Sequence, residues 1–145
     1  MSYIAPNASN AKRLEIAEIT LSGAPGVNGY FTFNTLNDHT FGIAPTGLNS
    51  NSLTLSKGSY MFRSCFDITR TDSNNNYQFQ FEANGSLIGL VGQTGFYNNK
   101  RSDLAEATYE SDTSFSLKLK AVNIEGQAPT LTNGSKLFIW RVERN

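Results

Sequence analysis

Apolar and polar residues alternate along much of this chain with a period of two. That is the repeat of a β-strand laid with one face on a core. Tyr77, Phe79, Phe81 and Ala83 alternate with Gln78, Gln80 and Glu82, and Phe115, Leu117, Leu119 and Ala121 alternate with Ser116, Lys118 and Lys120. Over 59–70, Tyr60, Phe62, Ser64, Phe66 and Ile68 share one face, and Met61, Arg63, Cys65 and Asp67 the other. Residues 14–21 (LEIAEITL) also predict a strand, but the apolar phase slips between Leu14/Ile16 and Ile19/Leu21. A β-bulge would explain the slip. Leu14, Ala17 and Leu21 also sit at helical spacing, so a helix is the alternative. Shorter strands are expected at Tyr30–Phe33, at residues 87–91 and 102–110, and at Lys136–Glu143, while residues 53–55 lead into a turn.

Turn chemistry separates these segments. Gly23-Ala24-Pro25-Gly26, Lys57-Gly58, Asp72–Asn76 and the hairpin-type pair Asn84-Gly85 all punctuate the pattern. Residues 34–52, 92–101 and 123–134 read as loops, the first with a short apolar segment at Phe41–Ile43. Eight to ten short strands without a convincing long helix predict an all-β sandwich or barrel. Residues 1–13 read as an N-terminal arm and 14–145 as one domain.

The final strand departs from simple alternation. Leu137 and Ile139 load one face, and Phe138, Trp140 and Val142 load the other. One set can fill the core, and the other then needs a cover. Neighbouring subunits would supply it, or the arm or the 30–50 region of the same chain. Phe138, Trp140 and Val142 are therefore subunit-interface candidates. Tyr3, Ile4 and Pro6 of the arm, and Phe96 and Tyr97 on a polar loop, are candidates for contact with a partner.

Composition narrows the function. Twelve basic and twelve acidic residues give zero net charge, so no field draws the chain to nucleic acid or an anionic membrane. No apolar run approaches a membrane span. A single cysteine, Cys65, excludes an internal disulfide framework and suggests synthesis in a reducing cytosol. The first residues lack the basic and apolar regions of a signal peptide. One histidine, His39 in a loop-rich stretch, and one thiol in mid-strand argue against a Ser–His or Cys–His site, and no catalytic residue is assigned. Two such residues cannot hold zinc. Asp72, Asn74 and Asn76 have calcium-loop spacing, but the loop's Gly and distal Glu are missing. No metal or other cofactor is expected. Asp103, Glu106, Glu110 and Asp112 read as an exposed acidic face balancing Lys100 and Arg101. Gly89, Gly92 and Gly95 precede no helix that could bind phosphate, and suit tight packing or turns.

From residue 53 onward the order of features resembles a known family. Leu53-Thr54-Leu55 precedes Lys57-Gly58-Ser59-Tyr60, which opens an alternating strand. A strand ending in Phe79-Gln80-Phe81 follows, then Phe115-Ser116-Leu117-Lys118-Leu119 and a last strand, Leu137-Phe138-Ile139-Trp140-Arg141-Val142. This is similar to the tumour-necrosis-factor-like jelly rolls of tailed-phage virion proteins, over about two thirds of the chain. The first 50 residues show no clear match, and 41–51 reads as an insertion. The resemblance implies a jelly-roll β-sandwich, trimeric about a three-fold axis, and a virion role. A chain without heptads or Gly-X-Y triplets fits a capsid decoration (cement) protein bound to the major capsid protein, made in the host cytoplasm and displayed on the capsid surface. The alternative is a receptor- or glycan-binding tip of a tail or head fibre, with host-surface glycan as partner.

Overall fold

A computed structural model describes residues 14–39, 43, 45–69, 76–94, 101–125, 130–131 and 134–142. Every helix-or-strand element among them is a β-strand. In chain order these are β1 (Leu14–Ser22), β2 (Thr32–His39), β3 (Leu53–Leu55), β4 (Gly58–Thr69), β5 (Asn76–Ala83), β6 (Ser86–Thr94), β7 (Arg101–Ser111), β8 (Phe115–Glu125), β9 (Thr130–Leu131) and β10 (Lys136–Val142).

The pairing is antiparallel throughout and follows the path β2-β1-β10-β4-β7-β6-β5-β8-β3, with β9 beside the end of β4. Two layers result, β2-β1-β10-β4-β7 and β5-β8-β3, and β6 pairs with both. Gly89 and Gly92 make that crossing possible. Gly89 has φ +73°, and a side chain on it would run into the β7 backbone and Ala107. A Cβ on Gly92 would lie 2.6 Å from the Leu104 carbonyl oxygen. The expected role of these glycines in tight packing is what the strands show.

The layers meet through aromatic rings. Phe66 of β4 stacks on Phe79 of β5 at 4.1 Å between centroids, and Phe62 meets Phe81 at 5.7 Å. Phe31 closes against Phe66 at 4.7 Å. These rings are fully buried, and truncating one to alanine costs about 3–5 kcal/mol. Ser64 occupies a core position because its hydroxyl accepts the Ala105 N–H at 3.1 Å. The Asn84-Gly85 pair forms the hairpin turn its chemistry predicts, with φ +48° and +85°.

Three expectations need correction. First, β1 alternates without a break: Glu15, Ala17, Ile19 and Leu21 are buried, and Leu14 and Ile16 face outward. The register shifts lie in its pairing with β2 and do not exchange its faces. Second, the stretch read as loop after Phe33 continues as β2, hydrogen-bonded to β1, and carries His39 in a strand. Its polar residues, such as Asn37, sit on the exposed side, where Asn37 Nδ2 donates to Thr20 Oγ1 at 2.6 Å. Third, β8 runs on to Glu125 and β9 follows, inside what reads as a long loop.

Candidate functional site

Cross-strand register builds a continuous outer face on the β1-β10-β4-β7 sheet. Directly opposed residues of an antiparallel pair point to the same side. One row runs Ile16, Trp140, Met61, Thr108, and the row above it Leu14, Val142, Ser59, Glu110. Below lie Glu18, Phe138, Arg63 and Glu106, and then Thr20, Lys136, Cys65 and Leu104. Leu90 of β6 extends the third row beside Glu106.

This face is apolar where a water-facing sheet is polar. Leu14 is 59 % exposed, Ile16 40 %, Leu104 44 % and Leu90 70 %. Phe138 and Trp140 lie 6.1 Å apart along β10. Four of the charged groups on the face form two ion pairs. Lys136 Nζ pairs with Glu18 at 3.0 Å, and Arg63 Nη2 with Glu106 at 2.7 Å. Arg63 also lies 6.0 Å from the Trp140 ring centroid. Its Nε is shielded from solvent without a hydrogen-bond partner.

Under the upper edge of the face lies a buried ion pair. Arg141 Nη1 donates to Glu15 Oε2 at 2.6 Å, with both side chains 6 % exposed. Arg141 Nε and Nη2 both donate to the Lys57 carbonyl oxygen, at 3.2 and 2.7 Å. A side chain on Gly58 would place its Cβ 2.8 Å from Arg141 Nε, so glycine is required there. The Tyr60 ring lies 6.0 Å from the guanidinium, and its hydroxyl donates to the Ser56 carbonyl at 2.8 Å. Burial raises the Tyr60 phenol pKa, which the bond to Ser56 and the charge of Arg141 oppose. The Lys57-Gly58-Ser59-Tyr60 and Trp140-Arg141-Val142 segments are thus one contact. Above this pair the face opens into a groove of about 710 Å³, walled by Leu14, Met61, Trp140 and Val142 and ending at Tyr109 and Glu110.

The structure places the interface candidates as follows. Leu137 and Ile139 point into the core, and Phe138, Trp140 and Val142 outward, half-buried. It adds Leu14, Ile16, Met61, Leu90 and Leu104, which the sequence reading did not single out. Swapping the phase of β1 would have found the first two. Tyr3, Ile4, Pro6, Phe96 and Tyr97 lie outside the described residues, as do Asp72 and Asn74. Cys65 faces outward between Lys136 and Leu104. Glu106 pairs with Arg63, and Lys100 and the Arg101 side chain expected to balance it lie outside the described residues. Among the described residues, no three His, Cys, Asp or Glu side chains are grouped to hold a metal ion.

Two antiparallel layers joined by β6, with a mixed apolar outer face on one of them, define a jelly-roll sandwich. No family model matches the chain, and no curated protein matches it in sequence. Solved structures do match it. The globular domain of zebrafish complement 1qA superposes with TM-score 0.60 at 9 % identity, over 88 % of this chain and 94 % of that one. Murine APRIL at pH 8.0 gives 0.57 at 8 % identity, over 89 % and 99 %. The same protein at pH 5.0 gives 0.58 at 9 %, over 87 % and 98 %. The fold is the tumour-necrosis-factor-like jelly roll.

Proposed function

We propose that this chain is a structural protein of a tailed-phage virion, a homotrimer that decorates the capsid by binding the major capsid protein and carries out no catalysis. The observation that carries the proposal is the apolar outer face of the β1-β10-β4-β7 sheet. Patches of this kind on a folded domain mark interaction sites. The apolar residues of this face fall into two groups, Ile16, Trp140 and Met61 side by side in one row, and Leu90 and Leu104 toward its β6 and β7 edge. A contact that joins unlike patches is head-to-tail, and such contacts form a ring where the rotation closes. Three-fold closure and the virion setting are supported by the motif resemblance from residue 53 onward. Low charge supports docking through neutral hydrogen bonds, which depend weakly on salt.

Light scattering on the purified chain tests assembly: a trimer mass at micromolar concentration is expected, and a monomer would overturn it. Adding the chain to phage heads that lack it tests the partner. Density on the head surface, retained as salt is raised, is the expected result. Binding confined to the tail, or adsorption of phage blocked by the free domain, would replace this reading with a glycan- or receptor-binding tip.

A further inference from the structure

Two Asn-Gly pairs lie whole within the described residues, Asn28-Gly29 and Asn84-Gly85, and both asparagines are left-handed, with φ of +67° and +48°. In this dipeptide the backbone nitrogen after the asparagine can reach its carboxamide, because glycine puts no side chain in the way. The two pairs are held very differently. Gly29 N–H donates to the Gly26 carbonyl at 2.8 Å, and a Cβ on Gly29 would lie 2.9 Å from Pro25 Cβ. Asn28 N–H donates to the Ala121 carbonyl at 2.8 Å, and Ala121 N–H returns a bond to the Gly29 carbonyl at 2.9 Å. Phe31, next but one along the chain, is fully buried against Phe66 and Phe79.

Asn84-Gly85 stands instead at the tip of the β5–β6 hairpin, where Asn84, Gly85, Ser86 and Leu87 are all exposed. A Cβ on Gly85 would meet nothing within 4 Å. Two bonds to Ser116 fix the turn: Asn84 N–H donates to the Ser116 carbonyl, and Ser116 N–H donates to Asn84 Oδ1, each at 3.0 Å. The tip itself carries no buried ring.

We propose that Asn84 is a site of self-modification, deamidating through a succinimide when the hairpin tip opens. While the turn is closed, Ser116 holds the Asn84 carboxamide on β8 and the backbone carrying Gly85 N is fixed. Opening frees both. Gly85 N then gives its proton to hydroxide and attacks Asn84 Cγ. The N–Cγ bond forms, the Cγ–Nδ2 bond breaks, and Nδ2 leaves as ammonia with a proton taken from water. Water next opens the imide ring at one of its two carbonyls. One opening gives aspartate, which keeps an oxygen acceptor for Ser116 N–H. The other gives isoaspartate, whose backbone is longer by a methylene. A two-residue turn has no slack for that, so the Ala83–Ser86 pairing that closes the hairpin is lost. Local opening of an exposed tip is far more populated than the wider unfolding that frees Asn28, which must also expose Phe31. The modification therefore proceeds in the native protein at Asn84 and is confined to the unfolded chain at Asn28. It does not depend on the subunit or virion reading.

Peptide mapping of the full chain, incubated at mildly alkaline pH, tests this. In native buffer, aspartate plus isoaspartate should accumulate at Asn84 about tenfold or more faster than at Asn28, because only the tip opens locally. In urea both dipeptides are free, so the two rates should converge and both should exceed the native rate at Asn84. Asn133-Gly134, whose asparagine lies outside the described residues, is scored separately in the same map. Equal rates at Asn84 and Asn28 in native buffer would overturn the proposal. So would an Asn84 left intact in native buffer over a period that converts it in urea. A native rate at Asn84 as high as its rate in urea would also sink it, since the closed turn would then give no protection.

Discussion

Behind Phe62 and Phe81, which meet in the core, the two sheets turn different surfaces outward. The β5-β8 side shows Gln78 beside Asn123, Gln80 beside Lys120 and Glu82 beside Lys118. Tyr30, an aromatic on this side, is tied into that polar set. The Tyr30 hydroxyl donates to Glu82 at 3.2 Å, and Lys118 Nζ lies 4.6 Å from its ring centre. This is a sheet finished for water. The β1-β10-β4-β7 side shows Ile16, Trp140 and Met61 in one row and holds Glu18, Lys136, Arg63 and Glu106 in ion pairs below. One chain has built both surfaces, so the apolar one is not explained by a general shortage of polar residues. It is the surface that expects a cover.

The largest effect should come from charging that surface. Trp140→Glu or Met61→Glu puts a carboxylate where a partner would bury it, at a cost of several kcal/mol without a counter-charge. The expected outcome is a folded monomer by light scattering, whereas Gln80→Glu on the opposite face keeps the parent mass. Equal masses for the two faces would break the comparison. The next effect lies beneath the face. Glu15→Ala leaves the Arg141 guanidinium buried without its carboxylate and should cost about 3–5 kcal/mol, read as a lower urea midpoint with unchanged slope. Replacing both with leucine should recover part of this. The recovery is incomplete because the Lys57 carbonyl oxygen loses its donor, a penalty of about 1–3 kcal/mol. Since neither change touches the outer face, the oligomeric mass should hold.

Legibility in the sequence followed the same division. β5 and β8 were readable because one face of each is wet, so alternation appears in the residue types. In β1, Glu15 points inward and Leu14 and Ile16 outward, which inverts the phase that the residue types suggest. The partner that makes a buried glutamate tolerable is Arg141, 126 positions away, where no local pattern can show it. Beyond Phe33, β2 is hidden in the sequence because Asn34, Thr35 and Asn37 carry turn chemistry while pairing with β1 holds the segment extended. The candidate site divides likewise. Phe138, Trp140 and Val142 stood out because β10 is apolar on both faces. Ile16, Met61 and Leu104 are single apolar residues on mixed strands. Only the strand order places them side by side, and pairing partners far apart in sequence decide that order.

The smallest effect belongs to the polar face and tests whether it is organised or merely wet. Glu82 is 7 % exposed although it lies on the solvent side, because Tyr30 covers it. Burial, and then the neighbouring Glu82 charge, raise the Tyr30 phenol pKa, so the phenol stays neutral and donating through the neutral range. Tyr30→Phe keeps the ring under Lys118 and removes the donor. Because the site is partly solvated, the loss should be about 1 kcal/mol or less, and the mass should be unchanged. The sign with pH follows from the raised pKa. The unfolded chain releases the Tyr30 proton first, so this residue's stabilisation is complete below pH 10.0 and declines above it. Tyr30→Phe should therefore flatten the alkaline fall in stability. An equally steep fall in the variant would mean that the Tyr30–Glu82 bond contributes nothing to holding this face in order.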